Sequence, residues 1–470
     1  MVGVLLVFLL SCDAGGSSRQ SAKRSGDLAA PEDAASGETA LELKREDPVR
    51  CPSGPMSSWV MHEPSAVSES VNDLPWMTPD VVVSRAGTAT VAFASVDNVV
   101  RTADDPPAAG DPQDPAHGQQ DPHAPTGGVH LGIDGSDVQT TMVQEFVRLV
   151  DNSGSSNEIV DLQLPGRFPG RGWSSSPAEV AEQELLYEAH LAVNASGAAV
   201  LMWLDSAYNL LAVYRDSAWA TWTAPQLVPA SADISPTFEV GIDDVGRVLV
   251  VGRYGGEHGV RAIRRSSAGK WGKVQELSGP GTEFYTMAVG AGGAAVALHG
   301  PLDFDGPASG SLFASRMSPA GHWRPPVRQW NRVAFDEAVG MDGKGRALIA
   351  AWNGADLMGR LSTPDGRWRD PFVLASDVSR TRKWGLAVAV AVNRRGAAVV
   401  GWGAQGRVAQ VWARYKPFGH KSWTRPVRMT PTDDAPRLFR VAIGECGHVA
   451  FAWETSRDTQ LRVLRASPRP

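Results

Sequence analysis

The side chains able to do chemistry in this sequence are few and scattered. Trp76, Trp330 and Trp384 stand outside the tryptophan pattern that recurs along the chain, and an indole on a rim can stack on a sugar ring or anchor a protein partner. His117, His123 and His130 lie among aspartates, a composition able to take a divalent cation, but their spacing matches no ligand pattern, so no metal and no cofactor is expected. Three cysteines, Cys12, Cys51 and Cys446, are too few for a disulfide scaffold or a thiolate metal centre. Gly-x-Ser-x-Gly, a phosphate loop, His-Glu-x-x-His and Cys-x-x-Cys are all missing from the sequence.

What positions these residues is a repeat. A chain of 470 residues exceeds the ~250–300 at which a single core stops growing, so it is multi-domain or an array. Two short runs of Val, Ala and Leu around a glycine turn recur seven times, at Gly87, Gly197, Gly246, Gly293, Gly345, Gly396 and Gly447. From Gly197 onward the period is about 50 residues, in the range of propeller blades. Each copy reads as a β-hairpin. Out of phase with it runs a second mark, at Trp59, Trp173, Trp222, Trp271, Trp323, Trp368 and Trp423, which accounts for an excess of 16 Trp over 6 Tyr. Several of these sit in a Ser/Thr-x-x-Gly-x-Trp turn, as in Ser266 to Trp271, and Pro225, Pro326, Pro371 and Pro426 each follow a Trp by three residues. Proline cannot donate to a ladder, so the strand after each Trp belongs at a sheet edge.

Each unit therefore has four strands: a hairpin, a third strand before the Trp turn and a fourth after it. The fold class is all-β, a seven-bladed β-propeller over residues 51–470. The last unit lacks a fourth strand, and the segment after Trp59 is a fourth strand lacking its first three. Joining them closes the ring with no half-blade left over. Residues 102–157 lengthen the first unit as a partly disordered insertion, with Asp-Pro pairs between Asp104 and Pro125 and a short helical period from Val138 to Val150. Cys51 and Cys446 fall in turns on the same rim of the closing blade, either bridged or as two free thiols. A net charge of −6 excludes a nucleic-acid footprint. A monomer is expected.

Residues Val2 to Leu10 are apolar but far short of the ~20 needed to span a bilayer. The run ends in Leu9-Leu10-Ser11-Cys12, which resembles the lipobox of bacterial lipoproteins. The resemblance implies a signal peptide over 1–12, acylation of Cys12 and a flexible tether over 13–50. The alternative is an ordinary signal-peptide end. Either way the protein is exported, as a lipoprotein on the outer face of the cell membrane or as a secreted protein.

The glycine hairpins and Trp turns together resemble the degenerate propeller repeats of secreted and lipid-anchored actinobacterial proteins. That family is mostly without assigned activity, so the resemblance implies a non-catalytic binding module on the cell envelope with an unknown protein or glycan ligand. The Trp turns are also similar to a shortened Asp-box of sialidase propellers, with only Asp365 near the aspartate position. This second resemblance implies an alternative, a sialidase-like glycoside hydrolase acting on envelope or host glycans. Tyr285 would be its nucleophile beside Glu283, and Arg382, Arg437 and Arg440 would bind the substrate carboxylate.

Overall fold

The structure is a computed structural model that describes strands between residues 58 and 183 and, with short breaks, residues 189–469. Side chains are described from residue 189 onward, apart from those breaks, and at Val83. All regular elements among the described residues are strands, and they form eight antiparallel sheets. In chain order the sheets lie at 80–105, 126–183, 189–227, 234–276, 282–330, 334–375, 388–428 and 436–469. From the third sheet to the seventh, four consecutive strands pair in sequence order, each with its chain neighbour. This is the propeller-like arrangement that the hairpin and Trp-turn pattern predicts.

Where side chains are described, burial peaks at the second strand and falls outward from it. The second strand Ala199–Leu204 is buried at every position, as is all but the last residue of Ala295–Pro301, because neighbouring sheets cover both faces. A strand covered twice reads as a continuous apolar run, as Ala199–Leu204 does. The third strand Gln410–Lys416 alternates half-buried and buried residues, and the fourth strands Gln226–Leu227 and Gln275–Glu276 are exposed. The cores therefore sit between sheets. Val200, Met202 and Leu204 of the third sheet, for example, pack with Phe238, Val250 and Tyr254 of the fourth.

The recurrent tryptophans close these inter-sheet cores. Trp271, Trp323, Trp368 and Trp423 each pack against the cluster between their own sheet and the preceding one. A second indole series, Trp203, Trp352, Trp402 and Trp453, is buried near the ends of second strands. The sequence reading did not single it out, although Leu-Met-Trp, Ala-Ala-Trp, Val-Gly-Trp and Phe-Ala-Trp stand at matching places.

Two expectations are corrected. Seven units are read from the sequence, whereas the described residues form eight sheets, the additional one lying at 126–183 and beginning within the segment read as an insertion. Within 102–157, Val100–Asp105, Thr126–Ile133, Gln139–Val150 and Ser156–Leu164 are strands, while residues 106–125 lie outside the described residues. The expected helix from Val138 to Val150 is a twelve-residue strand pairing along most of its length with Ser156–Leu164. Its β-branched Thr140, Thr141, Val143, Val147 and Val150 suit a pleated surface, and pairing on both sides overrides the local helical spacing.

At the chain ends, Ser58–Met61 pairs with Leu461–Arg469, with Trp59 opposite Pro468, so the eighth sheet takes its outer strand from the N-terminal segment. First strands pack on one another from the third sheet through to the eighth. Pro436–Ile443 of the eighth sheet also packs on Asp80–Val83 of the first, which packs on Thr126–Ile133 of the second, which in turn packs on Ala189–Val193 of the third.

Candidate functional site

Glu283 and Tyr285 lie at the start of the first strand Thr282–Val289, where the register slips between Phe284 and Thr286. The two side chains are engaged in packing and in bonds between sheets. Glu283 accepts a hydrogen bond from the Thr237 hydroxyl at 3.3 Å and pairs with Arg253 at 3.3 Å, both on the preceding sheet. Tyr285 packs against the core between the fifth and sixth sheets. Its phenol lies so close over Gly300 that a Cβ built there would stand 2.6 Å from the Tyr285 oxygen. Burial, and then the carboxylates of Glu337 and Glu283, push this phenol up to about 12. A phenol held protonated in this way is a poor nucleophile at neutral pH. Nearby, Glu239 accepts the Met287 backbone N–H at 2.7 Å and the Thr286 hydroxyl at 3.3 Å, a second carboxylate used to join the fourth and fifth sheets.

The opposite ends of the first strands carry another set of joints. Asn194 opens the turn to the second strand and uses its side-chain oxygen to accept the Ser196 and Ala198 N–H groups at 3.0 Å each. Its amide then donates to the Asp243 carbonyl of the next sheet at 2.7 Å, and Asn393 does the same toward Gly444 at 3.0 Å. The Asp243 side chain has no N–H to give. Its carboxylate instead holds Arg247 at 2.5 Å, and that guanidinium donates to the Gly292 carbonyl of the next sheet at 2.9 Å. Asp342 pairs with Arg346 at 2.5 Å in the same manner, and its neighbour Gly343 donates to the Arg394 carbonyl at 3.0 Å. Asp244 and Arg394, on the turns of the fourth and seventh sheets, form a further ion pair. The sequence reading took these Asn and Asp residues as turn formers and missed their reach to the next sheet. Their recurrence at one repeat length was the available signal.

The other predicted residues are placed unevenly. Trp330, expected as a ligand-binding aromatic on a rim, is 6 % exposed and belongs to the core with Leu312 and Ile349. This corrects that expectation: at the end of Trp323–Trp330 the indole stands at the register position opposite buried Leu312 and joins the same cluster. Arg440 is exposed on Pro436–Ile443, and its guanidinium contacts the Phe439 carbonyl at 3.5 Å, so the structure does not bring it to Glu283 or Tyr285. Arg437 occupies a strand position whose side chain is outside the described residues, as are Trp76, Trp384, Arg382, Cys12 and Cys51 altogether. His130 faces Met142 across a strand pair, while His117 and His123 fall outside the described residues. Cys446 is buried and disulfide-bonded, with its partner outside the described residues.

No protein family matches the chain, and no curated protein does. Among solved structures, it is similar to the BP39L lectin from Burkholderia pseudomallei at 15% identity and a TM-score of 0.49, over 76% of this chain and 99% of that one. It is similar to AofleA from Arthrobotrys oligospora at 11% identity and a TM-score of 0.38, over 64% and 86% of the two chains. The polysaccharide lyase Uly1 matches at 10% identity and a TM-score of 0.42, over 70% and 88%.

Proposed function

We propose that this chain is an exported β-propeller of eight blades serving as a non-catalytic binding module of the cell envelope, with a glycan or protein ligand and a lipid anchor at Cys12. The ring reading is supported by the unbroken succession of first-strand contacts around all eight sheets and by the pairing of Ser58–Met61 with Leu461–Arg469. In this reading the outer strand of the eighth blade closes the ring, and Cys51 is the partner of Cys446.

The observation that carries the non-catalytic reading is the state of Glu283 and Tyr285. The carboxylate is occupied by Thr237 and Arg253, and the phenol is packed over Gly300 and held protonated. A glycosidase nucleophile needs the reverse, an accessible oxygen beside a carboxylate free to take its proton. The test is direct. Purified protein should release no fluorophore from a panel of fluorogenic sialosides, and Tyr285→Phe should change only its melting temperature. Turnover by the wild type that disappears in Tyr285→Phe would replace the binding module with the hydrolase.

A further inference from the structure

One turn breaks a rule that the other described turns of its kind obey. Ten turns among the described residues share one hydrogen-bond pattern, in which the first residue's N–H donates to the fifth residue's carbonyl and the fourth residue's N–H returns to the first residue's carbonyl. The fourth residue has positive φ in all ten. Nine of them place glycine there, as at Gly197 with φ 80°, where a Cβ would be strained. The tenth, Asp205 to Asn209, places Tyr208 there with φ 58°. It is the one non-glycine residue at positive φ among those described, and it is 43 % exposed.

A bulky residue in the left-handed region persists where the surroundings hold it, and such strain concentrates at functional sites. Here the holding groups are visible. Asp205 accepts the Ala207 and Asn209 backbone N–H groups at 2.9 and 2.8 Å, and its second oxygen accepts the Asn209 amide at 3.0 Å. The turn joins the second and third strands of its sheet, so it lies at the end opposite the nine glycine turns. It thus carries a part-exposed tyrosine directly before Asn209, whose amide is paired with a carboxylate that has acceptor capacity still open.

We propose that Tyr208 is the stacking platform of a saccharide site, taking the apolar face of an uncharged pyranose while Asp205 and Asn209 bond its hydroxyls. This rests on the binding-module reading and names its ligand class. An aromatic face next to hydrogen-bonding groups matches a sugar ring, which is apolar on its faces and polar at its edge. The Asp205 carboxylate opposes an anionic sugar at the same place.

The experiment uses the full chain on a printed panel of glucosides, galactosides, mannosides, N-acetylglucosaminides and sialosides, with melting temperatures measured alongside. Wild type should bind an uncharged pyranoside. Tyr208→Gly should weaken that binding by about tenfold or more while melting no lower than wild type, since glycine fills the same slot nine times elsewhere. Tyr208→Phe should retain binding. Equal binding by wild type and Tyr208→Gly would overturn the assignment of Tyr208 with the module reading intact. Binding confined to sialosides would overturn the ligand class. Absence of any glycan binding, with an envelope protein bound instead, would overturn the saccharide site and leave the module reading standing.

Discussion

Asparagine and aspartate look interchangeable at the head of a tight turn, yet here they join neighbouring sheets by different chemistry. Asn194 and Asn393 donate directly to a carbonyl of the next sheet, whereas Asp243 works through Arg247. Reading Asn or Asp as a turn former was right, and only half the role was legible, because the second bond is made to a residue about one repeat away. The buried histidine offers a sharper test at this scale. His299 is 2 % exposed, bonds Ser315 at 2.9 Å and stacks on Phe313, and burial pulls its imidazole down to about 4 from an ordinary 6.5. A histidine with a depressed folded pKa is neutral in the native state and takes up a proton more readily when unfolded. Its contribution is therefore intact above about 6.5 and is lost as pH falls from there toward about 4. Urea unfolding should show stability declining over that window, and His299→Gln should flatten the decline. A decline of unchanged slope in the variant would assign it to other groups.

The strands show how far sequence patterning reaches. Second strands were legible because double burial writes an uninterrupted apolar run, and fourth strands because proline marks an edge. The second sheet was not read because Met142, Phe146, Leu149 and Val150 fall at helical spacing, while the pairing that makes them a strand lies in residues 156–164. Asp134-Gly135, just before that strand, was a hairpin signal available in the sequence. Packing between first strands is the least legible feature and gives its own prediction. Gly340 lies so close to the seventh sheet that a Cβ would stand 2.7 Å from a Val392 methyl and 3.1 Å from one of Val390. Gly340→Ala should accordingly destabilise the fold by about 1–3 kcal/mol through overpacking. Chemical denaturation reads this as a lowered midpoint, and an unchanged midpoint would show that the two strands can part at little cost.

At the scale of the whole molecule, repetition made the architecture readable and the activity hard to read. Glu239, Glu283 and, through Arg247, Asp243 are engaged in joining one sheet to the next. Tyr285 was a candidate nucleophile only through the sialidase resemblance, and its packing over Gly300 shows another use. Tyr208 escaped notice for the opposite reason: one tyrosine in a polar turn has no pattern until ten turns can be laid over one another. In the proposed ring, eight sheets close through the pairing of Ser58–Met61 with Leu461–Arg469. The most direct test of this closure compares thermal unfolding of the chain lacking residues 1–47 with that of the chain lacking residues 1–66. The first should unfold cooperatively like the full chain, and the second, with the outer edge of its eighth sheet exposed, should melt markedly lower or lose cooperativity. Equal melting of the two would contradict closure of the ring by that strand.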